Sequence, residues 1–146
     1  MCNVLLIDDD EVLSKVYKKI LESQGHSVAL AKNGVEGLTR LGELKDKLQI
    51  ILLDIQMPVM NGFDFLICIR RQGVEIPVVV ISGVAHSELE NLDVYSVLSK
   101  PIPKEKLLSV VDECVSSYSS LAQELVKTLE FLRTVNVNGR KRLLQL

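Results

Sequence analysis

Short apolar runs recur along the chain, separated by segments whose apolar residues fall three or four apart. Asn3–Ile7 is such a run and ends in three aspartates, the pattern of a buried strand. Leu13, Val16, Tyr17, Ile20 and Leu21 then share one helical face, and Gly25 ends that helix. Ser27–Ala31 alternates as a second strand, and Val35, Leu38 and Leu41 mark a second helix after the Asn33-Gly34 turn. Gln49–Leu53 reads as a third strand, apolar on both faces, and Met57–Gly62 is a loop rich in turn residues. Phe63–Arg71 is a third helix with Leu66 and Ile69 inward, and Ile76–Ile81 a β-branched fourth strand. His86–Leu92 leaves room for one short helix and Val94–Leu98 is a fifth strand. Lys100-Pro101 breaks the chain before a long helix that starts near Pro103–Glu105.

Strands that are apolar on both faces and alternate with helices predict a parallel sheet covered on both sides. Five such units within residues 1–117 make a small doubly wound α/β domain. In these sheets ligands sit beyond the carboxyl ends of the strands, where strand order reverses. With the second strand at an edge, in the order 2-1-3-4-5, the ends of strands one, three, four and five converge on one pocket.

Those ends carry chemistry. Asp8, Asp9 and Asp10 follow strand one, Asp54 follows strand three, Ser82-Gly83 follows strand four, and Lys100-Pro101 follows strand five. Asp10 is placed to cap the next helix. Carboxylates gathered in one pocket repel each other unless a cation sits among them. Carboxylates with a backbone carbonyl and open water positions suit a hard octahedral ion such as Mg²⁺. A metal, a fixed ammonium, a hydroxyl and a carboxylate nucleophile are the parts needed to hold and transfer a phosphoryl group.

Composition narrows the setting. The 146 residues are 47% apolar and 25% charged, with 4% aromatics and no Trp, so the core must be built from Leu, Ile and Val. Apolar runs are far too short for a membrane span. A net charge of −2 is no nucleic-acid footprint. Cys2, Cys68 and Cys114 form no close pair, which reads as free thiols in a reducing compartment, and no signal peptide is visible, so a cytoplasmic protein is expected.

The segments Val4–Glu11, Leu53–Gly62, Val80–Gly83 and Leu98–Pro101 together resemble the receiver domain of bacterial two-component response regulators. The resemblance covers about residues 2–117 and implies a flavodoxin-like fold. It also implies a phosphoacceptor signalling domain that assists its own phosphoryl transfer and dephosphorylation rather than an enzyme. By resemblance, Asp54 accepts a phosphoryl group from a phosphohistidine on a partner histidine kinase or phosphotransfer protein. Asp9 ligates Mg²⁺ directly, Asp8 acts largely through metal-bound water, and the Gln56 backbone carbonyl is a third protein ligand. Lys100 and Ser82 would bind phosphoryl oxygens. Ser82, Val97, Lys100 and Pro101 make the switch region, with the Lys100–Pro101 bond expected to be cis. In the loop of Met57, Pro58 and Gly62, the glycine is expected to supply a positive φ.

Three features depart from the family pattern. Val97 stands where the family usually has Tyr or Phe, so the usual aromatic readout is lacking. Ser82 and Lys100 are closer in sequence than usual, which shortens the helix between them and predicts an atypical output surface. Gln56 and Val84 occupy positions that tune hydrolysis of the acyl phosphate, and Val84 cannot orient a water, which predicts a long-lived phosphorylated state.

The remaining residues, 118–146, carry five basic and two acidic residues, against 12 and 17 in residues 1–117. Leu107, Val111, Cys114, Tyr118, Leu121, Leu125 and Leu132 continue a heptad-like spacing past the end of the domain. One extended C-terminal helix, serving as a linker or a homodimer contact, is one outcome. The other is a break at the Ser-rich 116–120 stretch followed by a second helix. Asn138-Gly139 looks like a stop.

Two other functions compete. Asp8-Asp10 with Val12 fits the D-x-D-x-V pattern of aspartate-nucleophile phosphohydrolases. That reading lacks a late acidic pair and leaves Asp54 unexplained. A receiver-like module that binds proteins without being phosphorylated is the other.

Overall fold

The computed structural model describes residues 1–83, Leu89 and residues 91–144, with side chains described to residue 135. Most of the short helix expected over 86–92, and Val84, lie outside the described residues. The elements run β1 (Asn3–Ile7), α1 (Glu11–Glu22), β2 (Ser27–Ala31), α2 (Gly34–Leu44), β3 (Ile50–Asp54), α3 (Gly62–Arg71), β4 (Val78–Ser82), β5 (Ser96–Ser99) and α4 (Lys104–Leu144). All five strands are parallel, in the order β2-β1-β3-β4-β5. This is the doubly wound architecture that the strand pattern predicts and the flavodoxin-like fold that the resemblance implies, with a long C-terminal helix.

Strand alternation sorts the core into two layers. Val4, Leu6, Ile50, Leu52, Val79, Ile81 and Leu98 face Tyr17 and Leu21 of α1 and Leu107, Val111 and Cys114 of α4. Leu5, Ile7, Ile51, Leu53, Val78 and Val80 face Leu41 of α2 and Phe65, Leu66 and Ile69 of α3. Both faces are covered, which is why these strands read as continuous apolar runs.

Polar side chains close the ends of the elements. Asp10, Asn33 and Asn61 each cap a helix by accepting a backbone N–H three residues on. The Arg70 guanidinium, at the end of α3, donates to the carbonyls of Val74, Ile76 and Asp93 and ties the approaches to β4 and β5 together. At the start of the sheet, the Cys2 N–H donates to Nδ1 of buried His26 at 3.1 Å, and His26 Nε2 faces Asp112 of α4 at 3.4 Å. Burial pushes the Cys2 and Cys114 thiols up, Cys114 to about 11, so both act as protonated core residues.

Three details differ from the sequence pattern. Val16 and Val35 are 46% and 47% exposed, although the periodicity puts them with the inward face. Ser14 and Gly34 take the buried places on those helices. Strands β3, β4 and β5 start one or two residues later than the apolar runs do. And α4 runs through both Ser116–Ser120 and Asn138-Gly139 to Leu144. One glycine inside a helix costs only about 1 kcal/mol, so it weakens this helix without ending it.

The chain forms two compact units, Met1–Val115 and Ser116–Leu146. The core lies in the first. In the second, every described side chain, from Ser116 to Val135, is exposed.

Candidate functional site

Register brings the strand-end residues together. β1 pairs Ile7 with Leu53 of β3, so the next residue on each strand, Asp8 and Asp54, are neighbours. β3 pairs Asp54 with Ile81, and β4 pairs Ser82 with Ser99, one residue before Lys100. The Lys100 N–H donates to the Ser82 carbonyl at 3.0 Å and extends that ladder by one step. Alternation places Asp8, Asp54 and Lys100 on the α1/α4 side of the sheet. Ser82 and Val97 share the opposite side, where Val97 packs on the α2/α3 core.

The site is buried and charged. Asp8, Asp54 and Ser82 are each 5% exposed or less, while Asp9 is open to solvent. Lys100 Nζ lies 2.7 Å from Asp8 Oδ2 and 3.2 Å from Asp54 Oδ2. The other Asp8 oxygen accepts the Asp10 N–H at 3.0 Å, which fixes the turn into α1. Burial pushes the Asp54 carboxyl up, Lys100 pulls it down and Asp8 pushes it up again, leaving it at about 6. Burial works against the Lys100 ammonium, but its two carboxylate partners outweigh that and hold it protonated.

The donor set fits a divalent metal ion. Asp8, Asp9 and Asp54 each offer an oxygen, and these oxygens lie within 4.8 Å of one another. Three carboxylates against one ammonium leave a formal excess of two negative charges. A hard divalent cation with oxygen ligands neutralises that excess. A cleft of about 500 Å³ opens beside this cluster, lined by Asp9, Ile55, Gln56, Met57, Pro58, Asn61 and Phe63.

Gly62 does not have the expected positive φ; that conformation falls to Val59, at φ 68°. Gly62 is needed for space instead. A Cβ there would sit 2.3 Å from the Asp54 carbonyl oxygen and 2.8 Å from Ile55 Cα. Its N–H donates to the Ile55 carbonyl at 2.9 Å, so the loop is folded tightly back against the end of β3. The Lys100–Pro101 bond is cis.

One supporting residue is invisible to motif reading. The hydroxyl of Tyr17, a core residue of α1, accepts the N–H of Ile102, two residues after Lys100, at 3.2 Å. Its only sequence signal is a tyrosine on an otherwise aliphatic helical stripe, since a buried tyrosine hydroxyl needs a partner.

Comparisons with known proteins identify the family. A family model for the response regulator receiver domain matches residues 4–112. The cell cycle transcriptional regulator CtrA of Caulobacter vibrioides is 30% identical, with 94% of this chain and 63% of that protein aligned. A probable transcriptional regulator, ycf29, of Porphyra purpurea is 32% identical, over 86% of this chain and 62% of that protein. The chain therefore spans less than two thirds of the length of these curated relatives. Among solved structures, a CheY-like receiver domain from Methanospirillum hungatei superposes with a TM-score of 0.75 at 24% identity, covering 82% of this chain and 98% of that one. The chemotaxis protein CheY4 of Vibrio cholerae gives 0.70 at 27%, covering 78% and 98%. Among the described residues no helix is long and apolar enough to cross a membrane. The sheet order, the strand-end chemistry and the matched family model lead to one conclusion: this chain belongs to the response-regulator receiver-domain family.

Proposed function

We propose that Asp54 is the phosphoacceptor of a cytoplasmic signalling receiver spanning residues 1–117, with residues 118–146 as a helical extension. The observation that carries this reading is the placement of Asp54: a buried carboxylate at a strand end, 3.2 Å from a lysine ammonium and beside two further aspartates. An Asp54 oxygen attacks the phosphorus of a phosphohistidine on a sensor kinase or phosphotransfer protein. The new O–P bond forms as the N–P bond breaks, and the imidazole leaves with the electron pair and takes up a proton. Because the carboxyl sits at about 6, most of it is ionised and nucleophilic at pH 7.

Asp8, Asp9, Asp54 and the Gln56 carbonyl are the groups that would hold Mg²⁺. When bound, the ion neutralises charge on the carboxylates and the phosphoryl oxygens. Lys100 moves its ammonium from Asp54 to a phosphoryl oxygen, and the Ser82 hydroxyl donates to another. Phosphoryl transfer has a loose transition state, so preplaced charges and donors do most of the work. Val12 and Val59, 76% and 82% exposed, offer the partner apolar contacts on α1 and on the loop after β3. Engagement of Ser82 then biases a two-state equilibrium that Val97, on the same side of the sheet, transmits by packing.

Intact mass after incubation with a small acyl phosphate tests the reading. One phosphoryl adduct that requires Mg²⁺ and is absent from Asp54→Asn is expected. No adduct in wild type, or an equal adduct in the variant, would overturn it.

A further inference from the structure

Among the described residues of the second unit, Ser116–Leu146, α4 carries an exposed apolar stripe. Leu121, Leu125, Leu129, Leu132 and Val135 recur at three- and four-residue spacing on α4, and each is between 51% and 63% exposed. Phe131, 66% exposed, widens the stripe. A helix gains most of its stability from packing such a face, and isolated helices of a few turns are marginal in water.

We propose that this stripe pairs with its own copy, so that α4 forms a parallel two-stranded coiled coil over residues 121–135. Three observations select a second copy of this chain as the occupant. The first is period: Leu125 and Leu132 fall on one seam position, and Leu121, Thr128 and Val135 fall on the other, an unbroken 4-3 repeat.

The second is charge. Ala122 and Leu129 flank one side of the seam and Glu124 and Phe131 the other, while Lys127, Glu130 and Arg133 lie on the outer face. In a parallel pair the residue before one seam position faces the fifth residue on in the partner, so Glu124 meets Leu129. No like charges oppose each other across the pair, and every seam position from Leu121 to Val135 is uncharged.

The third is area. Six side chains exposing roughly 100 Å² each come to about 600 Å² per copy, at the lower end of what each partner of a specific, stable interface buries. The contact is isologous, because the same face serves both copies and closes the assembly at two. It does not depend on phosphorylation of Asp54.

Sedimentation equilibrium of the whole chain at micromolar to tens-of-micromolar concentration, beside Leu125→Lys and Leu132→Lys, tests the pairing. Both substitutions are at exposed positions outside the core, so the folded first unit is retained. The expected result is a mass of twice 16.3 kDa for wild type. Each variant should weaken association on the order of 100-fold, since two buried leucines are lost per dimer. Wild type that stays monomeric across this range would overturn the proposal. So would a dimer that both variants leave intact, which would place the contact elsewhere, or a larger closed assembly.

Discussion

The Tyr17 hydroxyl accepts the Ile102 N–H at 3.2 Å across 85 residues of sequence, bolting α1 to the segment that carries Lys100. Tyr17→Phe keeps the ring and deletes only the acceptor, leaving a buried N–H unpaired. A loss of about 1–2 kcal/mol is expected from the midpoint of urea unfolding, with an unchanged slope. Phosphorylation of Asp54 should slow as well, because Lys100 is held less firmly against Asp8 and Asp54.

Lys100 competes with a divalent cation for the same carboxylates. In Lys100→Met the pocket keeps three aspartates and loses its ammonium. Mg²⁺ titration should show several-fold tighter binding, while phosphorylation at saturating Mg²⁺ falls by an order of magnitude or more because a phosphoryl-oxygen partner is gone. Weaker Mg²⁺ binding in the variant would contradict the charge balance described for this site.

The raised Asp54 carboxyl makes stability depend on pH. The folded state holds this proton more tightly than the unfolded chain, whose value is near 3.8, so without metal, stability falls as pH rises from about 4 to about 6. Asp54→Asn removes the charged form. At pH 7 the variant should be more stable than metal-free wild type by on the order of 2 kcal/mol, and the gain should vanish by pH 4. Chemical denaturation at the two pH values checks both.

Much of this organisation is legible in the sequence, because parallel strands covered on both faces leave continuous apolar runs, and register aligns the polar residues that follow them. Asp8, Asp54, Ser82 and Lys100 stand at such ends, and Asp10 and Gly25 mark helix boundaries as their chemistry dictates. The misses have physical causes. Val16 and Val35 sit at the margins of their apolar stripes, where a rotation of one residue decides exposure. The need for glycine at position 62 comes from the approach of the Asp54 carbonyl, a contact that local turn patterns do not record. The partners of Tyr17 and His26 come from other elements and leave no local trace.

Val59 and Gly62 divide the loop's constraints. Val59 is a β-branched residue at φ 68°, a conformation that costs about 1–3 kcal/mol, and its exposed side chain recovers none of it in the core. Val59→Asn, a residue that tolerates this region, should stabilise the protein by about 1 kcal/mol. Gly62→Ala should do the opposite by several kcal/mol, since the new methyl meets backbone at the end of β3. Thermal melts of the two variants should move in opposite directions.

The central claim is the position of the phosphoryl group, and the most direct measurement is to map it. Borohydride reduces an acyl phosphate to the alcohol, converting the labelled aspartate to homoserine, which peptide mass spectrometry locates. Tryptic cleavage separates Asp8, in the peptide ending at Lys15, from Asp54, in the peptide ending at Arg70. Homoserine at position 54 alone, formed only when Mg²⁺ is present during labelling, is the predicted result. Homoserine at position 8, or at Asp64 in the same peptide as Asp54, would contradict the account.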